Sequence, residues 1–367
     1  MDLAFLTPLC DRPGPWASVY VDTSRHSEST TEERSVEAFA VQRALASAGA
    51  DEATGRAVRS AVDELQHTRE PIGRALFAAH GEVVLDLALS TPPSARAHWA
   101  PVPRTTPLLD LAGEDPLCLV AYIDRKGADL EVRSARGAAD TSSVTGKPWP
   151  AHRAASADWS ERHLRLDAEH TWEHNAAELA STLANCQAET RADLLVLVGD
   201  ARECAAVESR LPKQLREHTM RARHGAGSPL LDAELERARA ECVAYRAERD
   251  LERFAAERGR DDAATAGVPA LVDAARQHRV AELLVDTAGP DTHREVWVGD
   301  EPDQLAMRRT DALALGAGEP AQARADDALM RCAAANGASA LSVTAAAPGA
   351  APAGGLGALL RWTQPRE

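Results

Sequence analysis

The sequence predicts a mixed α/β protein built from three domains. Its 367 residues are enough for two or three separate hydrophobic cores. Strand-like apolar runs alternate with segments of helical periodicity along the whole chain, which favours α/β layers. Two segments rich in proline or glycine, 91–107 and 225–229, interrupt this alternation. We therefore expect domains at residues 1–113, 114–226 and 227–367.

The composition is that of an acidic, soluble protein. The formal net charge is -15, and 44% of the residues are hydrophobic while only 4% are aromatic. Such acidity disfavours non-specific coating of nucleic acid, and we expect no DNA partner, although a locally basic surface can still dock on RNA. The start of the chain lacks the pattern of a signal peptide, and no uncharged apolar run is long enough to span a membrane. The six cysteines form no Cys-x-x-Cys pair. We expect a cytosolic protein without a cofactor, a bound metal or a membrane partner.

The first domain is predicted from alternating apolar periodicity and from a capping box, in which Thr30 and Glu33 open a helix. Residues 91–107 are interpreted as a connector. The predicted elements are strand Ala17–Asp22, a helix after Thr30, a second helix ending near His67, and a hairpin of Arg74–His80 with Val83–Leu89.

The second domain is predicted to alternate in the same way. Its elements are strands Cys118–Asp124 and Ala128–Arg136, a long helix ending near Cys186, strand Asp193–Val198 and helix Ala201–Leu211. A basic set follows: Lys213, Arg216, Arg221 and Arg223. This set fits either a solvated helix face or an RNA contact.

The third domain begins with a highly charged helix, Leu231–Arg258, which fits either a spacer or a protein-binding surface. Its other predicted elements are helix Pro269–His278, strands Val280–Asp286 and Glu295–Val298, helix Gln322–Asn336 and strand Ser339–Val343. Gly354, Gly355 and Gly357 precede a last apolar strand. Glycines this dense suit a place where backbone crosses backbone, and a phosphate-binding loop is the weaker interpretation.

The most distinctive segment of the sequence is a loop that concentrates cationic and aromatic side chains. We call residues 147–165 the basic-aromatic loop. Arginine and lysine pair with phosphate oxygens and aromatic rings stack on bases, so the segment predicts RNA binding. Trp149 and Trp159 also fit packing roles. The candidate RNA-binding residues are Lys147, Trp149, His152, Arg153, Trp159, Arg162, His163 and Arg165, with His174 and Asn175 on the helix that follows.

The order of these elements resembles the archaeo-eukaryotic class-1 peptide release factors and their Pelota relatives across essentially the whole chain. In that family a central loop leads into a long helix that bears a His-Asn pair, which His174 and Asn175 match. The C-terminal domain of the family ends with Gly-Gly-x-Gly-x-Leu-Leu-Arg, which matches Gly354–Arg361. The resemblance implies an N-terminal domain that faces the decoding site, a central RNase H-like domain and a C-terminal L7Ae-like domain.

Two departures from the family pattern exclude the expected chemistry. Release factors carry Gly-Gly-Gln on the central loop, but between Lys147 and Val198 this chain has no glycine and only one glutamine, Gln187. The basic codon-reading motif of the N-terminal domain is also missing, because Ala48–Glu52 stands between the first two helices. Neither peptide release nor stop-codon decoding is expected, and the protein is predicted to be non-enzymatic.

The remaining pattern resembles the bacterial Balon-type ribosome hibernation factors. That branch occupies the A site of idle or stalled ribosomes and associates with elongation factor Tu. The resemblance implies the ribosome as partner, with its 23S and 16S ribosomal RNA, and elongation factor Tu as a further one. The basic-aromatic loop would then approach the peptidyl-transferase centre.

Two alternatives remain open at the level of sequence. One is a ribosome-rescue factor that hydrolyses peptidyl-tRNA by another arrangement, with His152 or His163 assisting. The other is a zinc peptidase, because His170, Glu173 and His174 fit the His-x-x-Glu-His pattern, in which two histidines hold the metal and the glutamate activates water.

Overall fold

The computed structural model describes twelve stretches of the chain. For residues 31–34, 172–175 and 229 it describes the backbone alone. The described stretches are residues 1–23, 31–65, 73–89, 91–94, 96–112, 114, 116–124, 127–133, 172–225, 227–258, 263–344 and 351–362.

The described residues fall into two compact units. Unit 1 combines the two ends of the chain, Met1–Glu114 and Ala247–Glu367, and unit 2 is Asp115–Arg246. The first domain edge predicted from the sequence lies at the same place as a unit boundary, whereas the second unit boundary lies inside a helix. The division into three domains stays a prediction. None of the helices in these stretches is long and apolar enough to cross a lipid bilayer.

The N-terminal part of unit 1 is an antiparallel sheet with strand order β3-β2-β1-β4. Strand β1 alternates strictly: Ala17, Val19 and Val21 pack against the helices α2 and α3, and Tyr20 points to the opposite face. The elements are α1 (Thr7–Cys10), β1 (Trp16–Asp22), α2 (Thr31–Ser47), α3 (Glu52–Glu64), β2 (Gly73–Ala79), β3 (Glu82–Leu89), β4 (Arg96–Ala100) and α4 (Leu108–Leu111). Because both faces are covered, β1 is buried along almost its whole length.

Unit 2 is a four-stranded sheet of order β6-β5-β7-β8, in which only β5 and β6 are antiparallel. One face packs Leu119 and Leu197 against Leu183 of α5, and the other packs Val120 and Val196 against the start of α8. The elements are β5 (Cys118–Asp124), β6 (Gly127–Arg133), α5 (Trp172–Thr190), β7 (Leu194–Gly199), α6 (Ala201–Glu208), α7 (Lys213–Arg216), β8 (Thr219–Arg221) and α8 (Pro229–Arg258).

The C-terminal part of unit 1 contains two sheets, of order β14-β10-β15-β9 and β12-β11-β13. Leu251 and Phe254, near the end of α8, cover one face of the first sheet. The elements are β9 (Ala264–Ala266), α9 (Val268–Arg276), β10 (Val280–Val285), β11 (Glu295–Val298), β12 (Leu305–Ala306), α10 (Arg309–Ala314), β13 (Ala321–Arg324), α11 (Ala325–Ala335), β14 (Ser339–Ser342) and β15 (Leu356–Leu360).

The two parts of unit 1 share one hydrophobic core. Leu3, Leu6 and Phe77 from the first part lie in the same buried cluster as Leu271 and Leu329 from the second. The second face of the N-terminal sheet is therefore covered by residues about 200 positions further along the chain. No local sequence pattern in either part predicts that the two parts pack together.

The mixed α/β class is confirmed, and two local interpretations need correction. The segment 91–107 was expected to be a connector, but it contributes β4, a short edge strand whose polar residues hide its alternation. The helix expected at Gln322–Asn336 begins only at Ala325, because Ala321–Arg324 pairs with β11 as a strand.

The glycine-rich turn before β15 has the structural role expected from the sequence. A Cβ at Gly355 would lie 2.6 Å from the Cα of Gly289, so two backbones cross here with no room for a side chain. Gly354 and Gly355 also adopt φ angles of 78° and 89°, in the left-handed region that glycine tolerates.

Candidate functional site: the root of the basic-aromatic loop

The basic-aromatic loop itself lies outside the described residues. This holds for Lys147, Trp149, His152, Arg153, Trp159, Arg162, His163 and Arg165. His174 and Asn175 lie in the first turn of α5, where the structure describes the backbone alone. Their roles in RNA binding stay predictions.

Two elements of unit 2 flank the loop in sequence. Strand β6, at one edge of the sheet, ends at Arg133, and helix α5 begins at Trp172. The buried face of α5 includes Ala176, Leu179 and Leu183, as the helical spacing predicts. The helix that follows the loop is thereby fixed against the sheet that precedes it.

A polar network surrounds Arg133, the last described residue before the loop. Its Nη1 donates a hydrogen bond to Asp232 Oδ1 at 2.8 Å, and its Nη2 donates to the Tyr122 hydroxyl at 2.7 Å. The Tyr122 hydroxyl in turn donates to Glu131 Oε2 at 2.9 Å. The Nε of Arg133 lies 2.9 Å from the same Glu131 oxygen, without hydrogen-bond alignment. Side chains from β5, β6 and α8 thus hold the strand end in one place.

The charges of this network favour its hydrogen bonds. Burial, and then the neighbouring Glu131, raise the pKa of Tyr122 to about 12, so the phenol stays protonated and can donate. Burial opposes the charge on Arg133, but Glu131, Tyr122 and Asp232 together raise its pKa. This network was not apparent from the sequence. Its signal was the pair of opposite charges at Glu131 and Arg133, which an i, i+2 spacing places on one face of a strand.

The basic set that follows α6 is exposed to solvent in all four members: Lys213, Arg216, Arg221 and Arg223. Two of these cations already have partners in the protein. Arg216 Nη2 donates to the carbonyl of Leu211 at 2.9 Å, and Arg221 Nε lies 3.0 Å from Glu208 Oε2. Arg216 and Arg221 therefore satisfy local backbone and carboxylate groups, as cations on a solvated surface do.

The zinc-peptidase motif falls largely beyond the described atoms. His170 lies outside the described residues, and only the backbone of Glu173 and His174 is described. Within the stretches that the structure does describe, no cluster of histidine, cysteine and acidic side chains is arranged to hold a metal ion.

Residues 117–260 match the family model for bacterial archaeo-eukaryotic release factor family 2. The matched stretch begins just before β5 and extends to the end of α8, so it includes the loop and the network around Arg133.

The chain is also similar to curated proteins of about the same length. Two proteins of Mycobacterium tuberculosis, from the strains CDC 1551 and H37Rv, are each 28% identical over 366 residues. The alignment covers 95% of this chain and 94% of each relative, and both relatives are described as uncharacterized.

Solved structures similar to this chain include archaeal Pelota proteins and an archaeal translation termination factor. A model of ribosome-bound archaeal Pelota is 12% identical, covering 99% of this chain and 95% of that one, with a TM-score of 0.38. Pelota of Archaeoglobus fulgidus is also 12% identical, covering 79% and 80%, with a TM-score of 0.36. An archaeal translation termination factor is 16% identical, covering 98% and 97%, with a TM-score of 0.24.

At these TM-scores the superpositions transfer no residue and no contact to this chain. The family-model match stands apart from them, because it rests on the sequence of the segment that contains the loop. The resemblance to archaeo-eukaryotic release factors, expected from the sequence, is thereby confirmed for residues 117–260.

Proposed function

We propose that this protein is a ribosome-associated translation factor that occupies the A site in resting or stressed cells. The basic-aromatic loop would lie near the peptidyl-transferase centre and bind ribosomal RNA there without hydrolysing peptidyl-tRNA. One observation carries the proposal. The segment that matches the release factor family model contains a loop with no glycine and no glutamine, which instead bears tryptophan, arginine and histidine.

The position of Gln187 supports the absence of release-factor chemistry. This glutamine, the only one between Lys147 and Val198, lies in the last two turns of α5. Its side-chain Nε2 donates a hydrogen bond to the carbonyl of Ala192 at 2.8 Å. It therefore completes the C-terminal end of a helix, and a catalytic role at the loop tip is not available to it.

Co-sedimentation with ribosomes tests the coarse part of the proposal. Lysates of exponentially growing and starved cells are separated on sucrose gradients, and the protein is detected by immunoblot. We expect it in the ribosomal fractions of starved cells. If it stays in the ribosome-free fractions under both conditions, the proposal fails.

Peptidyl-tRNA hydrolysis separates the proposal from the rescue-factor alternative. Purified ribosomes carrying labelled peptidyl-tRNA are incubated with the protein, and the released peptide is measured. We expect release at the background rate. Release well above background would replace A-site occupation by a hydrolase function, with His152 and His163 as the first residues to substitute.

The contribution of the loop is tested by a triple substitution, Trp159→Ala, Arg162→Ala and Arg165→Ala. We expect weaker ribosome binding and a salt dependence of log K that is lower by about 2, because each lost phosphate contact reduces the slope by about 1. Sedimentation at several salt concentrations measures both quantities.

A matched control replaces one exposed tryptophan and two exposed arginines elsewhere. Trp362 is 51% exposed, and Arg308 and Arg309 are exposed at the start of α10. Alanine at these three positions should leave both the affinity and the salt slope unchanged. Equal losses in the two triple variants would show that the loop is not the anchor.

A further inference from the structure

Unit 1 contains a cavity of about 370 Å³ beside the edge strand β4. Its volume lies within the range of about 300–1,000 Å³ that small-molecule sites occupy. In the register of the sheet, Arg96 is opposite Tyr20 and His98 is opposite Ser18, so all four side chains point to one face. On β1 and β2 this face carries Tyr20 and Phe77 of the core together with Ser18, and on β4 it carries Arg96 and His98. Packing in the core does not require arginine or histidine at these positions of β4, so their presence at a cavity suggests a binding role.

The backbone of Arg104, which also lines the cavity, is fixed by buried polar side chains. Ser18 Oγ accepts a hydrogen bond from the Arg104 backbone N–H at 2.9 Å, and the Tyr20 hydroxyl donates to the Arg104 carbonyl at 2.5 Å. Ser18 and Tyr20 are only 1% and 2% exposed. Two residues later, the backbone N–H and hydroxyl of Thr106 donate to Asp327 Oδ1 at 3.0 and 2.8 Å. Arg104 thus stands on a segment with little freedom to move.

Buried carboxylates orient two of the arginine side chains that line the cavity. Arg104 Nη1 lies 3.5 Å from Asp327 Oδ2, and its buried Nε has no hydrogen-bond partner among the described residues. Arg324 is oriented from one side by Asp326, which accepts from its Nε at 3.0 Å and from its Nη2 at 2.5 Å. The carboxylates of Asp326 and Asp327 are 1% and 4% exposed. Asp327 is buried beside Arg104, whereas Asp326 lines the cavity next to Arg324, and each carboxylate fixes the orientation of the guanidinium group that it contacts.

The groups that shift the pKa of His98 show which charges lie near this histidine in the cavity. Burial is the largest cause that lowers the pKa of this histidine, and the next causes are three guanidinium groups: Arg104, Arg96 and Arg324. The charges that act most strongly on the imidazole are therefore cations. Among the residues that line the cavity, Arg96, Arg104 and Arg324 are cationic and Asp110 and Asp326 are anionic, so the lining carries a net charge of +1 with its histidines neutral. The chain as a whole has a net charge of -15.

We propose that this cavity binds a small phosphorylated molecule, whose phosphate is held by Arg96, Arg104 and Arg324 beside His98. Guanidinium groups bind phosphate through paired, charge-assisted hydrogen bonds, and three of them can surround one phosphate group. A recessed cavity on a rigid segment suits a small ligand better than the backbone of an RNA helix. None of the residues of this site belongs to the basic-aromatic loop, and the proposal does not depend on ribosome binding.

Isothermal titration of the purified full-length protein tests the site, in a sulfate-free buffer of low ionic strength. The probes are inorganic phosphate, pyrophosphate and adenosine 5′-monophosphate. We expect saturable binding of one probe per chain and at least about tenfold weaker binding in Arg96→Ala, because one charge-assisted pair is lost. Tighter binding of the nucleotide than of inorganic phosphate would identify a phosphate ester as the ligand, and equal binding would identify free phosphate.

Arg96 is exposed, so its substitution should leave the fold intact, and Arg309→Ala is the control for the loss of an exposed arginine in the same unit. Arg104→Lys keeps the charge but removes the paired donors, and we expect it to weaken binding as well. Binding that is equal in the wild type and in Arg96→Ala overturns the proposal. The proposal is also overturned if none of the three probes binds saturably. It is overturned, too, if an RNA oligonucleotide added as a fourth probe is the one ligand that binds and if Arg96→Ala weakens its binding.

Discussion

The Tyr122 hydroxyl serves two charged neighbours at the root of the basic-aromatic loop. It accepts a hydrogen bond from Arg133 and donates one to Glu131. A phenol suits this position because it accepts and donates through one atom and, with a pKa raised to about 12, keeps its proton at neutral pH. The network therefore depends on the hydroxyl and not on the ring alone.

Replacing Tyr122 by phenylalanine removes the hydroxyl and leaves the ring in place. We expect a loss of about 1 kcal/mol in the free energy of unfolding, because two partly buried hydrogen bonds lose their shared partner. Urea denaturation measures it. Tyr245→Phe is the control, since Tyr245 is 59% exposed and should tolerate the change within about 0.5 kcal/mol. Equal effects of the two substitutions would show that the network contributes nothing to stability.

The buried carboxyl group of Asp327 should make the stability of the protein depend on pH. Burial, and then the charge of Asp326, raise its pKa from 3.8 to about 6 in the folded protein. The folded state therefore holds the proton more tightly than the unfolded state. Ionisation of Asp327 should reduce stability progressively as the pH rises through that interval, and the reduction should be complete above about pH 6.

The substitution Asp327→Asn removes this titration and keeps an oxygen that can accept from Thr106. The quantity to compare is the unfolding free energy of the variant minus that of the wild type. This difference should rise by roughly 3 kcal/mol between about pH 4 and pH 7, at 1.36 kcal/mol per pKa unit, because only the wild type is destabilised by the ionisation. Urea denaturation at several pH values measures the difference. A difference that is independent of pH would contradict the raised pKa.

At the scale of elements, the crossing of Gly289 and Gly355 fixes the entry into β15. Gly355 has a φ of 89°, and a Cβ there would also lie 3.1 Å from the carbonyl oxygen of Asp286. Gly355 is also held to Asp286 by a hydrogen bond, in which the Asp286 backbone N–H donates to the Gly355 carbonyl at 2.8 Å. Both the conformation and the space exclude a side chain.

Gly355→Ala should cost roughly 3 kcal/mol or more of the unfolding free energy, because left-handed strain adds to a backbone clash. Gly267→Ala is the matched control: its φ is 86°, but no heavy atom lies within 4 Å of the added Cβ. The control should cost only about 1–2 kcal/mol. Thermal denaturation compares the two, and equal losses would mean that the backbones move apart easily.

At the scale of the whole molecule, the two ends of the chain form one unit. Leu3, Leu6 and Phe77 share a buried cluster with Leu271 and Leu329, so the C-terminal part of the chain covers one face of the N-terminal sheet, whereas the cluster on the other face of that sheet is made from N-terminal residues alone. Unit 2, by contrast, has hydrophobic clusters made from its own residues on both faces of its sheet.

We therefore expect the fragment 1–114 to be unfolded or insoluble when it is expressed alone, because its apolar sheet face lacks a cover. Co-expression with 247–367 should yield a soluble, co-purifying pair, and 115–246 should fold by itself. Circular dichroism and affinity co-purification measure these outcomes. A fragment 1–114 that folds cooperatively alone would contradict the shared core.

Much of the local structure followed from the sequence. The strands Cys118–Asp124 and Glu295–Val298 were predicted with the bounds that the structure has, and the hairpin of β2 and β3 was found within one residue. Alternation of period 2 or 3.6 and turn residues are local signals, so a sequence can reveal them. Strand β4 was missed because its alternate positions are polar where they line a cavity.

By itself, the sequence determined the mixed α/β class, the resemblance to release factors and the absence of their Gly-Gly-Gln motif. These are properties of residue order and of local spacing. Only the tertiary structure decided that the two ends of the chain share a core, that Tyr122, Arg133 and Asp232 meet at the root of the loop, and that a cluster of arginines surrounds one cavity. Some of the partners in these contacts are more than 200 residues apart in the sequence. Local periodicity and turn residues carry no information about such pairs, because only the folded chain brings them together.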